Sequence, residues 1–158
     1  MIRLRPYAPT DRAAVKAVFF RAVREGAAAQ YTAEQRAAWA PDPSVDASHP
    51  DRLADQFCLL SERGGQITGF MSLCTDGHLD MAFVLPEVMG KGHAAALYDA
   101  ILAEATRRPL SQMTTHASLL ARPFFERRGW HVEHVQDHPL GPLTLRRFAC
   151  TPPLDPPP

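Results

Sequence analysis

Three consecutive runs of the sequence, Gln56–Glu62, Gln66–Cys74 and His78–Leu85, alternate with a period of two, as strands with one buried face do. Gly64-Gly65 and Asp76-Gly77 separate them, and both dipeptides favour tight hairpins. Parallel strands need long crossovers, so a chain with three hairpin-linked strands at its centre cannot be wound entirely from βαβ units. Pro86 closes the third run. Around this block the pattern reads as helix and strand in turn. Ile2–Tyr7 suggests a short strand. Thr10 or Asp11 can cap a helix carrying Val15, Val18, Phe19, Ala22 and Val23 and ending at Gly26. Thr32-x-x-Gln35 has the pattern of a capping box and opens a short helix through Trp39. Residues 41–56 read as a loop. A helix over about Gly92–Arg107 buries Ala94, Leu97, Ile101 and Ala105. Met113–Ala117 is a strand, Pro123–Arg128 a short helix, and Val132–Gln136 and Leu143–Phe148 are closing strands. The expected order is β-α-α-β-β-β-α-β-α-β-β, an α/β fold with a mixed, mostly antiparallel sheet flanked by helices.

Composition narrows what such a fold can do. With 158 residues the chain makes one domain, expected over 1–149, followed by a proline-rich, disordered tail at 150–158. Lys and Arg number 17 and Asp and Glu 17. That balance argues against nucleic-acid binding, which favours a strongly basic stripe. The 3 cysteines, Cys58, Cys74 and Cys150, form no C-x-x-C or Cys/His cluster, so a reduced cytoplasm is expected and a metal site is not. No apolar run is long enough to span a membrane, and the first residues, MIRLRPY, lack the apolar region of a signal peptide.

The chemistry concentrates in Phe83–Leu97, FVLPEVMGKGHAAAL. A strand ends at a proline, and Gly90 and Gly92 precede a helix. Glycines let main-chain N–H groups converge, and the new helix adds free N–H groups and the positive end of its dipole. Lys91 adds a formal charge. This is an anion site, but neither G-K-[ST] nor G-x-G-x-x-G is present.

Val84-x-Pro86 followed by Met89-Gly90-Lys91-Gly92-His93-Ala94 resembles motif A of the GNAT (GCN5-related) N-acetyltransferases, [RQ]-x-x-G-x-[GA] after a V-x-P strand end. Met89 replaces the family's Arg or Gln. Downstream, Ala117-Ser118-Leu119-Leu120-Ala121-Arg122-Pro123-Phe124-Phe125-Glu126-Arg127-Arg128-Gly129-Trp130 resembles motif B, in the version of the YafP-like bacterial acetyltransferases. Tyr31, Gln35 and Trp39 also resemble that subgroup. The resemblance covers roughly Ile2–Ala149. It implies acetyl-CoA as co-substrate, held in a V-shaped opening where the fourth and fifth strands splay. The amides of Met89 through Ala94 would hold the pyrophosphate and the backbone of Phe83 and Val84 the pantetheine. Ser118 and Pro123, Phe124 and Phe125 would flank the pantetheine arm and sulfur. A tyrosine acid common in relatives stands at the position of Phe125, which has no proton to donate.

The remaining polar residues admit two readings each. Asp80 is the first candidate for general base, or a structural carboxylate. His116 is a base or acid, or a satisfied histidine under the sheet. Ser118 donates to the thiolate or to the cofactor. Tyr31, Gln35 and Trp39 share a helical face at i, i+4, i+8, either core packing or the wall of an acceptor pocket. Residues 30–57 carry five acidic against two basic residues, an acidic lip suited to a cationic amine or a solvated loop. The expected function is N-acetyl transfer from acetyl-CoA to a primary amine of a small molecule or peptide, with no metal. The competing class is a non-catalytic acyl-CoA-binding or interaction module. The resemblance also implies a fold that commonly forms homodimers.

Overall fold

The computed structural model describes residues 1–110 and 112–153. Its strands are β1 (Arg3–Pro6), β2 (Phe57–Arg63), β3 (Gln66–Leu73), β4 (His78–Val84), β5 (Thr114–Ser118), β6 (His131–Leu140) and β7 (Leu143–Thr151). Its α-helices are α1 (Arg12–Arg21), α2 (Ala33–Trp39), α3 (His93–Thr106) and α4 (Arg122–Glu126). The strands form a single sheet in the order β1-β2-β3-β4-β5-β7-β6. All neighbours run antiparallel except β4 and β5, which α3 joins as a parallel pair.

The hairpin expectations hold. Arg63 faces Gln66 across the two-glycine turn, where Gly64 and Gly65 have φ of 60° and 79°, the sign that matches the twist of the strands it joins. The capping box also forms. The Thr32 hydroxyl accepts from the Gln35 amide at 3.1 Å, and the Gln35 side-chain oxygen accepts from the Thr32 amide at 2.9 Å. At the first helix, the Asp11 carboxylate instead reaches back to the Ala8 amide at 2.8 Å and grips Arg5. That helix starts as a 3-10 turn at Pro9–Asp11 and ends in a π-helical turn at Ala22–Gly26.

Two packed layers hold the sheet. On one side α3 sets Leu97, Tyr98, Ile101 and Ala105 against Met71, Leu79, Ala117, Phe125, Trp130 and Phe148. On the other, Val15 and Val18 of α1 pack on Cys58, Leu60, Phe70 and Leu85. Each fully buried Leu or Ile in these layers contributes roughly 1.5–3 kcal/mol.

The C-terminal hairpin departs from expectation. β6 runs on to Leu140 and β7 to Thr151. The polar stretch after Gln136 continues as strand because β6 lies at a sheet edge, where even Pro139 can stand opposite Thr144 without breaking a central ladder. The expected tail boundary at 149 therefore falls inside β7. Cys150 pairs with Thr115 and with Val132 and is 2% exposed, so its small apolar side chain holds the strand in the core. The expected tail at 154–158 lies outside the described residues.

Candidate functional site

The sheet forks. β4 and β5 pair only at His78–Thr114 and Leu79–Thr115, and the Thr115 hydroxyl closes the fork by donating to the Leu79 carbonyl at 2.8 Å. Beyond that point the edge of β4 from Asp80 to Val84 parts from His116–Ser118. Two cavities occupy the opening.

The smaller, about 360 Å³, lies against the glycine loop and is bordered by Val84, Met89, Gly90, Ala94 and the Pro123-Phe124-Phe125 turn. Its rim is main chain. Gly90 and Gly92 have φ of 76° and 89°, and Gly92 is the residue from which α3 starts. The amides of Met89 and Lys91 donate to the carbonyls of Pro86 and Val88. Of the amides expected over Met89–Ala94, those two are therefore already bonded within the chain. Met89 borders the cavity, and Lys91 is exposed. The His93 ring turns away from the loop. It is 2% exposed, and its Nδ1 bonds the Thr68 hydroxyl at 2.8 Å, which in turn meets Ser61. Burial pushes its pKa below the ordinary histidine value. Only its amide serves the loop.

The larger cavity, about 1120 Å³, lies between α1, the 41–56 loop and the fork, and the Phe19 and Tyr31 rings are part of its wall. Trp39, Phe83 and Ser118 border both cavities. Trp39 meets Tyr31 and Phe83 edge-on at 5.5 and 5.9 Å.

Asp80 owes its position to a β-bulge. Ser72 faces Met81 and Leu73 faces Leu79, leaving Asp80 as the extra residue. The bulge breaks the expected alternation of β4. Leu79 joins the layer under α3, while Met81 and Phe83 face α1. Bulges re-aim side chains in this way. The carboxylate it presents is occupied. Arg52 donates to both oxygens at 2.7 and 2.8 Å, and Gln56 adds a third bond at 2.8 Å. Burial alone would raise its pKa, but these donors outweigh it and hold the carboxylate below its ordinary range. That geometry fits the reading of Asp80 as a structural carboxylate better than the reading as base.

His116 is exposed in the larger cavity, two residues from Ser118 and 4.9 Å from the His78 ring. Desolvation, with the charge of Arg147 and that of His78, lowers its pKa from 6.5. The shift favours the neutral ring, the form that can accept a proton. The Ser118 hydroxyl accepts from the Ala121 amide at 3.0 Å, which braces the turn into α4. Its own hydrogen stays available.

Tyr31 lies before the N-cap Thr32 of α2, so the face expected at 31, 35 and 39 is not wholly helical, and only Tyr31 and Trp39 reach the cavity. Gln35 spends its side chain on the capping box and on a bond to the Thr144 carbonyl at 3.0 Å, so it does not line either cavity described. Tyr31 lends its ring to the wall. Its hydroxyl donates to the Arg146 carbonyl at 2.5 Å and accepts from the Leu119 amide at 2.9 Å, and burial raises its pKa. Those bonds commit the hydroxyl to structure. Phe125 is 2% exposed against Tyr98 and Trp130.

A family model described as an acetyltransferase (GNAT) domain matches residues 27–138, from the turn before α2 through most of β6. The chain belongs to the GNAT acetyltransferase family. The uncharacterized N-acetyltransferase YafP of Escherichia coli (strain K12) is 35% identical over 136 residues, which cover 85% of each chain. A crystal structure from Rhodopseudomonas palustris, described as a GCN5-related N-acetyltransferase: aminotransferase, class-II, superposes with a TM-score of 0.87 at 32% identity, covering 96% of this chain and 95% of that one. The paia N-acetyltransferase of Thermoplasma acidophilum, solved in complex with coenzyme A, shares the fold at a TM-score of 0.70 and 14% identity, covering 96% and 99%.

Sequence reasoning missed three side chains that this GNAT fold brings to the larger cavity, His78, Arg52 and Arg147. The period-two run placed His78 on a strand without showing that Thr114 would stand beside it. Arg52 lay in an unpatterned loop. Arg147 reaches Ser118 only because β7 inserts between β5 and β6, and nothing in a linear reading signals that order. Among the described residues no group of three or more His, Cys, Asp or Glu is placed to hold a metal, and no helix is long and apolar enough to cross a membrane.

Proposed function

We propose that this GNAT protein transfers the acetyl group of acetyl-CoA to a primary amine of a small molecule or peptide, by direct attack in a ternary complex. The observation that carries the reading is the meeting of two cavities at Trp39, Phe83 and Ser118. A donor lying along the glycine loop and an acceptor in the larger cavity would come together there. The coenzyme A complex of the Thermoplasma acidophilum neighbour supports the choice of donor.

The amides of Gly90, Gly92, His93 and Ala94 would hold the pyrophosphate, with Lys91 adding charge. The freed edge of β4 at Phe83 and Val84 would pair with the pantetheine. Acetyl-CoA supplies an activated thioester when bound. His116 takes the proton that the amine must lose, because it is exposed, close to Ser118 and shifted toward its neutral form. Phe125 cannot protonate the leaving sulfur. The Ser118 hydroxyl has a hydrogen to give, and a thiol pKa near 8.5 lets the thiolate leave with modest help. Asp80 keeps Arg52 and the bulge in place.

Release of CoA thiol across a panel of amines tests the activity, and thermal shift with CoA and acetyl-CoA tests the donor. Amine-dependent release is expected. Binding of CoA with no amine-stimulated release would favour the non-catalytic acyl-CoA-binding module. No rise in melting temperature at millimolar ligand would remove acetyl-CoA from the account.

A further inference from the structure

The larger cavity is not the acidic pocket that the local composition suggested, because four carboxylates are matched there by Arg12, Lys16, Arg52 and Arg147. Each carboxylate also has donors. Asp80 is held by Arg52 and Gln56. Asp51 accepts from the Tyr7 hydroxyl at 2.6 Å and from the Leu53 amide. Asp42 and Asp46 each accept from the amide and hydroxyl of a serine two residues on. The cations are spent less evenly. Arg52 faces Asp80, Arg12 donates to the carbonyls of His49 and Pro50, and Lys16 lies 5.6 Å over the Phe19 ring.

Arg147 is different. It stands on β7 directly opposite Ser118 in the ladder, beside the point where the two cavities meet, and it is half-buried. Its Nε donates to the neutral side-chain oxygen of Gln136 at 2.9 Å, which fixes the guanidinium without neutralising it. Among the described residues no carboxylate forms an ion pair with it. Desolvation and the nearby charge of Arg52 both disfavour its protonated form, and among the cavity's cations Arg147 is the one placed opposite Ser118. A partly desolvated guanidinium presents a planar fork that matches a carboxylate.

We infer that Arg147 anchors a carboxylate of the acceptor, and that the acceptor class is an amine carrying a carboxylate, as in a free amino acid. The inference rests on the proposed N-acetyl transfer and names the substrate class for that site. The amine of such a molecule, held by its carboxylate on Arg147, lies within the neighbourhood of His116 and Ser118, one strand away. The Phe19, Trp39 and Phe83 rings receive its apolar part.

The test measures binding, so that it stands apart from turnover. The N-acetyl derivatives of the twenty amino acids and their primary amides are titrated into the full chain saturated with CoA, and Kd is read by calorimetry. At least one acid is expected to bind roughly 10- to 100-fold more tightly than its amide. Arg147→Gln removes that preference, and Arg147→Lys retains part of it. Melting temperature and CoA affinity of both variants stay near those of the parent chain. If no acid is preferred over its amide, or if the preference survives in Arg147→Gln, the inference is wrong. A preference that depends on Arg147 in a protein that releases no thiol with the free amino acids would sustain the anchor and sink the transferase reading.

Discussion

The two cavities that share Trp39, Phe83 and Ser118 are built by opposite means. The glycine-loop cavity is made of main chain and apolar side chains drawn from two short segments, 83–94 and 118–127, with Gln30, Met71 and others closing it. The larger cavity draws charged and titratable side chains, as well as aromatic ones, from α1, the 41–56 loop, β4, β5 and β7. The first depends on backbone shape, the second on which strands are neighbours. One consequence is that the first tolerates many side-chain changes but few changes of local backbone, whereas the second is sensitive to single side chains.

The contrast breaks most sharply at Gly92. Its φ of 89° disfavours any residue with a Cβ, and an anion there opposes phosphate. Gly92→Asp should weaken CoA binding about 1000-fold or more, measured by calorimetry. Affinity within a few fold of the parent would move the donor out of the loop.

On the other side, His116→Ala should cut kcat about 100-fold with CoA affinity unchanged. The pH profile sharpens this. A histidine whose pKa is lowered stays neutral, and so active as base, from neutral pH down past the usual histidine value of 6.5. The acid limb of kcat is therefore expected below that value and should vanish in His116→Ala. An acid limb that persists would assign it to another group.

Asp80→Asn should change kcat by less than about tenfold, since its carboxylate is already committed to Arg52 and Gln56 and falls short of the general-base effect. A loss as large as that of His116→Ala would restore Asp80 as base. The smallest effect belongs to Gln35→Ala. It loses one half of the capping box and should cost about 1 kcal/mol in denaturant unfolding with kinetics unchanged.

The same contrast explains what a linear reading can reach. Hairpin turns, the Thr32–Gln35 box, the glycine loop and the short helix after Pro123 are each set by residues within about ten positions of one another, and all formed where expected. The acceptor side was legible only in part. His116 and Ser118 share a strand face by simple alternation. Asp80 reaches the cavity, but Arg52 and Gln56 from the unpatterned 41–56 loop occupy its carboxylate, and no periodicity signals those partners. Gln35 was assigned by helical spacing, yet its place near the helix start gave the amide a better use at the cap. Arg147 needed the pairing of β5 with β7, a contact between strands that are not consecutive.

The fork also makes the protein two half-sheets, β1–β4 and β5–β7, sewn together by two residue pairs. Long seams such as β6–β7 carry nine pairs. In mechanical terms the molecule is a clothes-peg, stiff in its arms and narrow at its spring. Amides of Thr114 and Thr115 should therefore exchange with deuterium sooner than those in the middle of β2 and β3. Small rotations of the arms about Thr115 would set how far apart the two cavities stand.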